Sequence, residues 1–154
     1  MMSSDEREKT VSPRQALNGF VPAALESARD NAGMTRGTLA RKIGVDPTTI
    51  HGWETGRSHP TPDLLARAAE ELGILVDALV DIDPDQRTLT DLRVLAGLTQ
   101  RQLADRIGLS QPTVGRIERG EARLTDPAAE LLASTLGLPL PIVRDAHRRA
   151  RDAD

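Results

Sequence analysis

The sequence predicts an all-α protein made of two five-helix modules in tandem. Three observations predict it. First, a pattern occurs twice: Met34–Gly56 reads MTRGTLARKIGVDPTTIHGWETG and Leu98–Gly120 reads LTQRQLADRIGLSQPTVGRIERG, with Gly97 trailing Gly33 by 64 residues. Second, apolar residues recur at helical rather than strand spacing within both copies. Third, aromatics make up only 1% of the chain, so any core must be aliphatic, which suits short packed helices better than sheets.

The repeat is more than shared hydrophobicity. At the 64-residue offset Gly33/Gly97, Thr35/Thr99, Gly44/Gly108, Glu54/Glu118, Gly56/Gly120 and Gly73/Gly137 are identical, alongside Leu39/Leu103, Ala40/Ala104 and Ile43/Ile107. Glycines and a polar Glu at fixed offsets are hard to obtain by chance, so internal duplication is the natural cause.

Taken in order, residues 1–19 are polar, unpatterned and expected to be disordered. The first module is expected over 20–81, an acidic joint over 82–85, and the second module over 86–154 with an Arg-rich C-terminal helix. In the first module a helix is expected over about 22–32. Leu39, Ala40 and Ile43 then share one face of a second helix, and Ile50 and Trp53 one face of a third. Asp46 precedes that third helix as its cap, with Pro47 at the first helical position, where a missing N–H costs nothing. Thr61-Pro62 opens a fourth helix, and a fifth is expected over 75–81.

The second module repeats the scheme. A helix is expected over 84–96. Thr99-Gln100-Arg101-Gln102 reads as a capping box, and Leu103, Ala104 and Ile107 form one face of the helix that follows. Ser110 caps the next, in which Val114 and Ile117 pair at i, i+3. Thr125-Asp126-Pro127 opens a further helix, and 141–150 forms the last. Gly44 and Gly108 fit the left-handed position that ends a helix. Leu64 and Ala68 stand where Ala128 and Leu132 stand, an exchange of large and small that keeps volume.

Composition narrows the function. The chain has no Cys, so neither a disulfide framework nor a thiolate metal site is available. The N-terminus MMSSDEREKT lacks an apolar signal region, and no apolar run approaches a membrane span; a cytoplasmic protein is expected. Net charge is −3, yet residues 35–59 carry four basic against two acidic side chains and residues 99–123 five against three. The repeated segments are basic islands in an acidic chain, a footprint suited to a polyanion. The three His (His51, His59 and His147) show no metal-binding spacing. No Gly-rich phosphate loop or nucleophile elbow is present. Neither an enzyme nor a cofactor is expected.

The run L-T-Q-x-x-L-A-x-x-I-G-L-S-Q-x-T-V-x-R-I-E-R-G resembles the helix-turn-helix of the XRE family, the phage-repressor and Cro-like DNA-binding domains. The first copy is similar in M-T-x-x-x-L-A-x-x-I-G-V-D-x-x-T-I-x-x-W-E-T-G. The resemblance implies two tandem lambda-repressor-like five-helix domains, with the second helix of each pair in the major groove of double-stranded DNA. It implies sequence-specific transcription regulation; repression is expected before activation because so small a chain shows no obvious extra surface for contacting polymerase or an effector. It also implies backbone contacts from Thr99, Gln100, Arg101, Arg119 and Arg123, and in the first copy from Thr35, Arg36, Arg57 and His59. Related domains pair an Arg with a Glu at the positions of Arg29–Glu54 and Arg93–Glu118, so intra-module ion pairs are expected there.

On the recognition helix of the second module, burying Val114 and Ile117 leaves Gln111, Pro112, Thr113, Gly115, Arg116 and Arg119 nearer the outer side. Gln and Arg have the bidentate geometry that adenine and guanine edges accept. In the first copy Thr48, Thr49, His51 and Gly52 are expected to face outward, a set less equipped for base reading. There the choice between DNA contact and a packing or dimerisation role stays open. So does homodimerisation, and so does a different class of function: a protein-interaction module, such as an antitoxin or coactivator-like adaptor, with the helix-turn-helix as scaffold. No membrane or small-molecule substrate is expected.

Overall fold

The structure, a computed structural model, describes residues 19–153; the tail expected over 1–19 lies, apart from Gly19, outside the described residues. The chain divides between Asp81 and Ile82 into two units. The first contains α1 (Pro22–Asn31), α2 (Arg36–Ile43), α3 (Pro47–Glu54), α4 (Pro62–Leu72) and a 3-10 turn, Val76–Leu79. The second contains a 3-10 turn, Pro84–Gln86, followed by α5 (Leu89–Leu95), α6 (Gln100–Ile107), α7 (Gln111–Glu118), α8 (Asp126–Leu136) and α9 (Leu140–Asp152). Among the described residues the only extended pairing is an isolated antiparallel bridge between Phe20 and Val80.

Side-chain oxygens set most helix starts. Thr99 accepts from the Gln102 N–H while the Gln102 side chain accepts from the Thr99 N–H, a complete capping box. Ser110 caps Thr113, Thr125 caps Ala128 and Thr35 caps Thr38. Asp46 occupies the N-cap of α3 without a side-chain hydrogen bond, so Pro47 carries that start alone. Thr61 likewise leaves the backbone uncapped and donates its hydroxyl to Asp63 Oδ1 at 2.6 Å. In each unit the turn joining the helix pair begins at a left-handed glycine, Gly44 (φ +80°) or Gly108 (φ +73°), where a Cβ would strain the backbone.

Two expected helices are different in the structure. The helix expected over 75–81 is the single 3-10 turn Val76–Leu79, because Val80 is extended and pairs with Phe20. The helix expected over 84–96 is interrupted. Arg87 is extended and Thr88 opens α5 with its own capping box to Asp91, and a cap that satisfies the first free N–H groups sets the start there rather than at Pro84.

Leu25, Leu39, Ile50, Leu65 and Leu79 are fully buried in the first unit, and Leu103, Ala129, Val143 and Ala146 in the second. Each such Leu contributes about 1.5–3 kcal/mol by leaving water. Leu64 is half-buried, so the Leu64/Ala68 against Ala128/Leu132 exchange is only in part a core exchange. The smaller Ala68 is accompanied by the larger Trp53 where the second unit has Ile117; Trp53 is 3% exposed.

Candidate nucleic-acid interface

Each unit holds the second helix of its helix-turn-helix pair, α3 or α7, through one buried carboxylate. In the second unit Arg93 Nε donates to Glu118 Oε2 at 2.7 Å and Nη2 to Oε1 at 3.3 Å, while Nη1 donates to the Leu98 carbonyl at 3.0 Å. Gln100 Nε2 donates to Glu118 Oε1 at 3.0 Å and the Thr90 hydroxyl to the same oxygen at 3.3 Å. In the first unit Arg29 Nε and Nη2 donate to Glu54 at 2.6 and 3.1 Å, and Nη1 to the Met34 carbonyl at 2.8 Å. The third donor is a cation: Arg36 Nε reaches Glu54 Oε1 at 2.8 Å, and its Nη2 lies 3.6 Å from Glu26. Arg36 aligns with Gln100 and Glu26 with Thr90, so a charged pair in one unit is a neutral pair in the other.

Burial alone would raise the Glu54 carboxyl, but the hydrogen bonds from Arg29 and Arg36 prevail and hold it below its ordinary value of 4.5. Its bond to Glu54 in turn raises Arg29. A group depressed on folding stabilises above its unfolded value and loses that contribution as pH falls through the folded one. Glu54→Gln is therefore expected to destabilise the first unit at pH 7, and its gap from the unaltered chain to narrow as pH drops below about 4.5. Trp53 is the only Trp and reports this unit alone in urea titrations followed by fluorescence. A gap independent of pH would show that the Glu54 charge contributes nothing.

The outer surface of α7 carries Gln111, Pro112 and Arg116, all exposed, and Thr113, half-buried with its hydroxyl 2.7 Å from Ser110 Oγ. Gln111 Nε2 lies 3.5 Å from Gln100 Oε1. Arg101 and Arg123 are exposed and Thr99 is the half-buried cap of α6. Arg119 does not extend away from the helix. Its Nε and Nη2 donate to Glu121 at 2.7 and 3.4 Å, and this bond raises Arg119 and lowers Glu121 from their ordinary values.

On α3, Thr48 and His51 are exposed and Thr49 is half-buried. Arg57 is exposed, and Thr35 is used as a cap. Arg36 is half-buried, its Nε on Glu54 as Gln100 Nε2 is on Glu118. His59 is half-buried, its ring edge-on to Phe20 at 6.2 Å and 89°, with Nδ1 buried and without a hydrogen-bond partner. Gly52 and Gly115, expected to face outward, are both buried. Ser58 covers the first, where an added Cβ would meet its Oγ at 2.7 Å, and Arg119 and Gln100 cover the second.

Thr90, Glu26 and Glu121 are not singled out by the sequence pattern. Thr90 stands 28 residues from Glu118, and no helical period connects them. A signal for Glu26 and Thr90 does exist in the repeat: each changes together with position 36 or 100. Among the described residues no cluster of His, Asp or Glu is placed to hold a metal ion, and no helix is long and apolar enough to cross a membrane.

A helix-turn-helix family model matches the chain twice, over residues 25–79 and 89–143. The chain is 33% identical over 69 residues to multiprotein-bridging factor 1 of Eremothecium gossypii, covering 45% of each chain. It is 34% identical over 64 residues to the Debaryomyces hansenii protein of that name, covering 42% of this chain and 43% of that one. The Schizosaccharomyces pombe protein is 28% identical over 69 residues, 45% of this chain and 47% of that one. The chain thus spans less than half the length of the curated relatives it matches.

Proposed function

The chain belongs to the XRE-type helix-turn-helix family, a DNA-binding family, and from that premise we propose that it regulates transcription by binding double-stranded DNA sequence-specifically, as a repressor that occupies its site. The observation that carries the reading is the outer face of α7, where exposed Gln111 and Arg116 flank Pro112 and Thr113. Base edges in the major groove accept those side chains in pairs of hydrogen bonds. Exposed Arg101 and Arg123 are assigned to phosphates, with Thr99 and Gln100 at the helix start. A short joint gives a second module a high effective concentration at an adjacent half-site, so one chain would cover a bipartite site, with Thr48, Thr49 and His51 as the weaker reader.

Selecting fragmented genomic DNA with the purified chain and sequencing what is retained tests this. Two motif elements at fixed spacing support reading by both modules; one short element restricts DNA contact to the second. Arg116→Ala is expected to cost about 1–3 kcal/mol at one base pair and relax preference there. Arg123→Ala is expected to weaken all sequences alike and flatten the salt slope by about one. Unchanged sequence preference in the Arg116 variant would refute its assigned role.

A second reading, a bridge between proteins, is favoured by the name of the relatives, multiprotein-bridging factor, and by an α3 whose exposed residues Pro47, Thr48 and His51 include no Arg or Lys. No enrichment of any DNA, together with capture of a protein partner, would select it.

A further inference from the structure

Arg119 is the C-cap of α7, and its guanidinium folds back over that helix. An added Cβ on Gly115 would lie 3.1 Å from Arg119 Nη1 and 3.4 Å from Gln100 Nε2. The missing side chain of Gly115 is therefore the seat on which Arg119 rests, beside Gln100, which itself contacts Gln111. Glu121 takes the side edge of the guanidinium through Nε and Nη2. A guanidinium has five N–H donors in a rigid fork, so the end edge, one N–H on each terminal nitrogen, is left for an acceptor pair.

The loop that carries Glu121 is itself held. The Glu121 and Ala122 N–H groups donate to the Arg116 carbonyl at 2.9 and 3.2 Å. His147, buried on α9, donates Nε2–H to the Ala122 carbonyl at 3.0 Å, a bond that requires the Nε2-protonated tautomer. The first unit is built differently at these positions. Thr55 and Arg57 stand where Arg119 and Glu121 stand, Thr55 donates its hydroxyl to the His51 carbonyl, and His51 occupies the place of Gly115.

We propose that Glu121 is a positioning residue that holds Arg119 on the Gly115 seat, its end edge aimed at a bidentate acceptor on DNA, so that Arg119, Glu121 and Gly115 act as one device belonging to the second module. This rests on the reading that the second module binds DNA. Holding a long side chain in its bound geometry removes the entropy cost of freezing it on binding. The acceptor pair is two phosphate oxygens or the O6 and N7 of a guanine, both of which match the fork.

The test uses the full chain, a duplex carrying the genomically selected site, and a scrambled duplex of equal length, with affinity read by fluorescence anisotropy. Glu121→Gln is expected to weaken binding about two- to tenfold without moving the thermal midpoint, and to have no such effect in an Arg119→Lys background, since Lys cannot form the two-pronged bond. Gly115→Ala is expected to weaken binding to a similar degree while the midpoint holds or rises, because Ala favours the helix. Equal loss on both duplexes assigns the acceptor as phosphate; loss confined to the selected site assigns it as guanine. Tighter binding by Glu121→Gln, or the same loss in the Arg119→Lys background, overturns the proposal. Binding by the unaltered chain that ignores Glu121→Gln overturns this inference alone, whereas an unaltered chain that retains neither duplex overturns it together with the DNA reading.

Discussion

Arg93→Ala is expected to remove about 3–5 kcal/mol from the second module, because it leaves the Glu118 carboxylate buried without a cation. Glu118 and Arg93 are 5% and 8% exposed. After the substitution only Gln100 and Thr90 still donate to Glu118, both neutral, and the Leu98 carbonyl loses its donor as well. A module of this size holds only about 4–10 kcal/mol in total, so most of its margin disappears. Arg29→Ala in the first module is expected to cost less, since Arg36 keeps a positive charge on Glu54. Urea unfolding separates the two: Trp53 emission follows the first module, and circular dichroism follows both. The Arg93 variant should melt early by circular dichroism while the Trp53 transition stays in place. Equal costs in the two modules, or a loss under about 1 kcal/mol, would show that the pair behaves like an exposed one.

Gly120→Ala is expected to cost about 2–5 kcal/mol and to lift the end of α9. Gly120 has φ +75°, and an added Cβ would come within 2.5 Å of the Arg151 backbone N and Cα and 2.8 Å of the Ala150 carbonyl carbon. Left-handed geometry costs an L-residue about 1–2 kcal/mol, and backbone cannot rotate out of the way as a side chain can, so overpacking adds about 1–3 kcal/mol. The aligned Gly56→Ala provides the control. Gly56 has φ +79°, but its Cβ would meet only Pro22 Cγ at 3.9 Å, an ordinary contact, so strain alone is expected. Denaturant midpoints of the two variants, each read against the unaltered chain, give the difference. Equal costs would mean that the last turn of α9 is not pressed onto the loop that follows α7.

Much of this is readable from residue patterns because the forces are local. Thr99 and Gln102 cap each other across one turn, and Gly108 takes a backbone angle that follows from its own lack of a Cβ. Ile43, Ile50, Ile107 and Ile117 can be assigned to cores from spacing, since a short aliphatic helix has one face to bury. The Thr88–Asp91 cap sets the start of α5, but Pro84 offers an equally good opening a few residues earlier, so the start read from the sequence falls too early. Local signals of similar strength do not rank themselves.

By itself the sequence determined that the chain is a duplicated all-α unit, where most of its helices begin and end, and that an Arg and a Glu 25 residues apart recur in each copy. Caps, turns and periodic faces involve neighbours within a few residues, so their physics is written in order along the chain. Only the tertiary structure decided who else joins each buried carboxylate, that His59 packs on Phe20, that Gly52 and Gly115 are covered, and that Arg119 lies back under the hold of Glu121. Long flexible side chains such as Arg and Gln reach several partners from one backbone position, and which they take depends on what the fold brings alongside. That competition is settled in space, between residues that the sequence holds far apart.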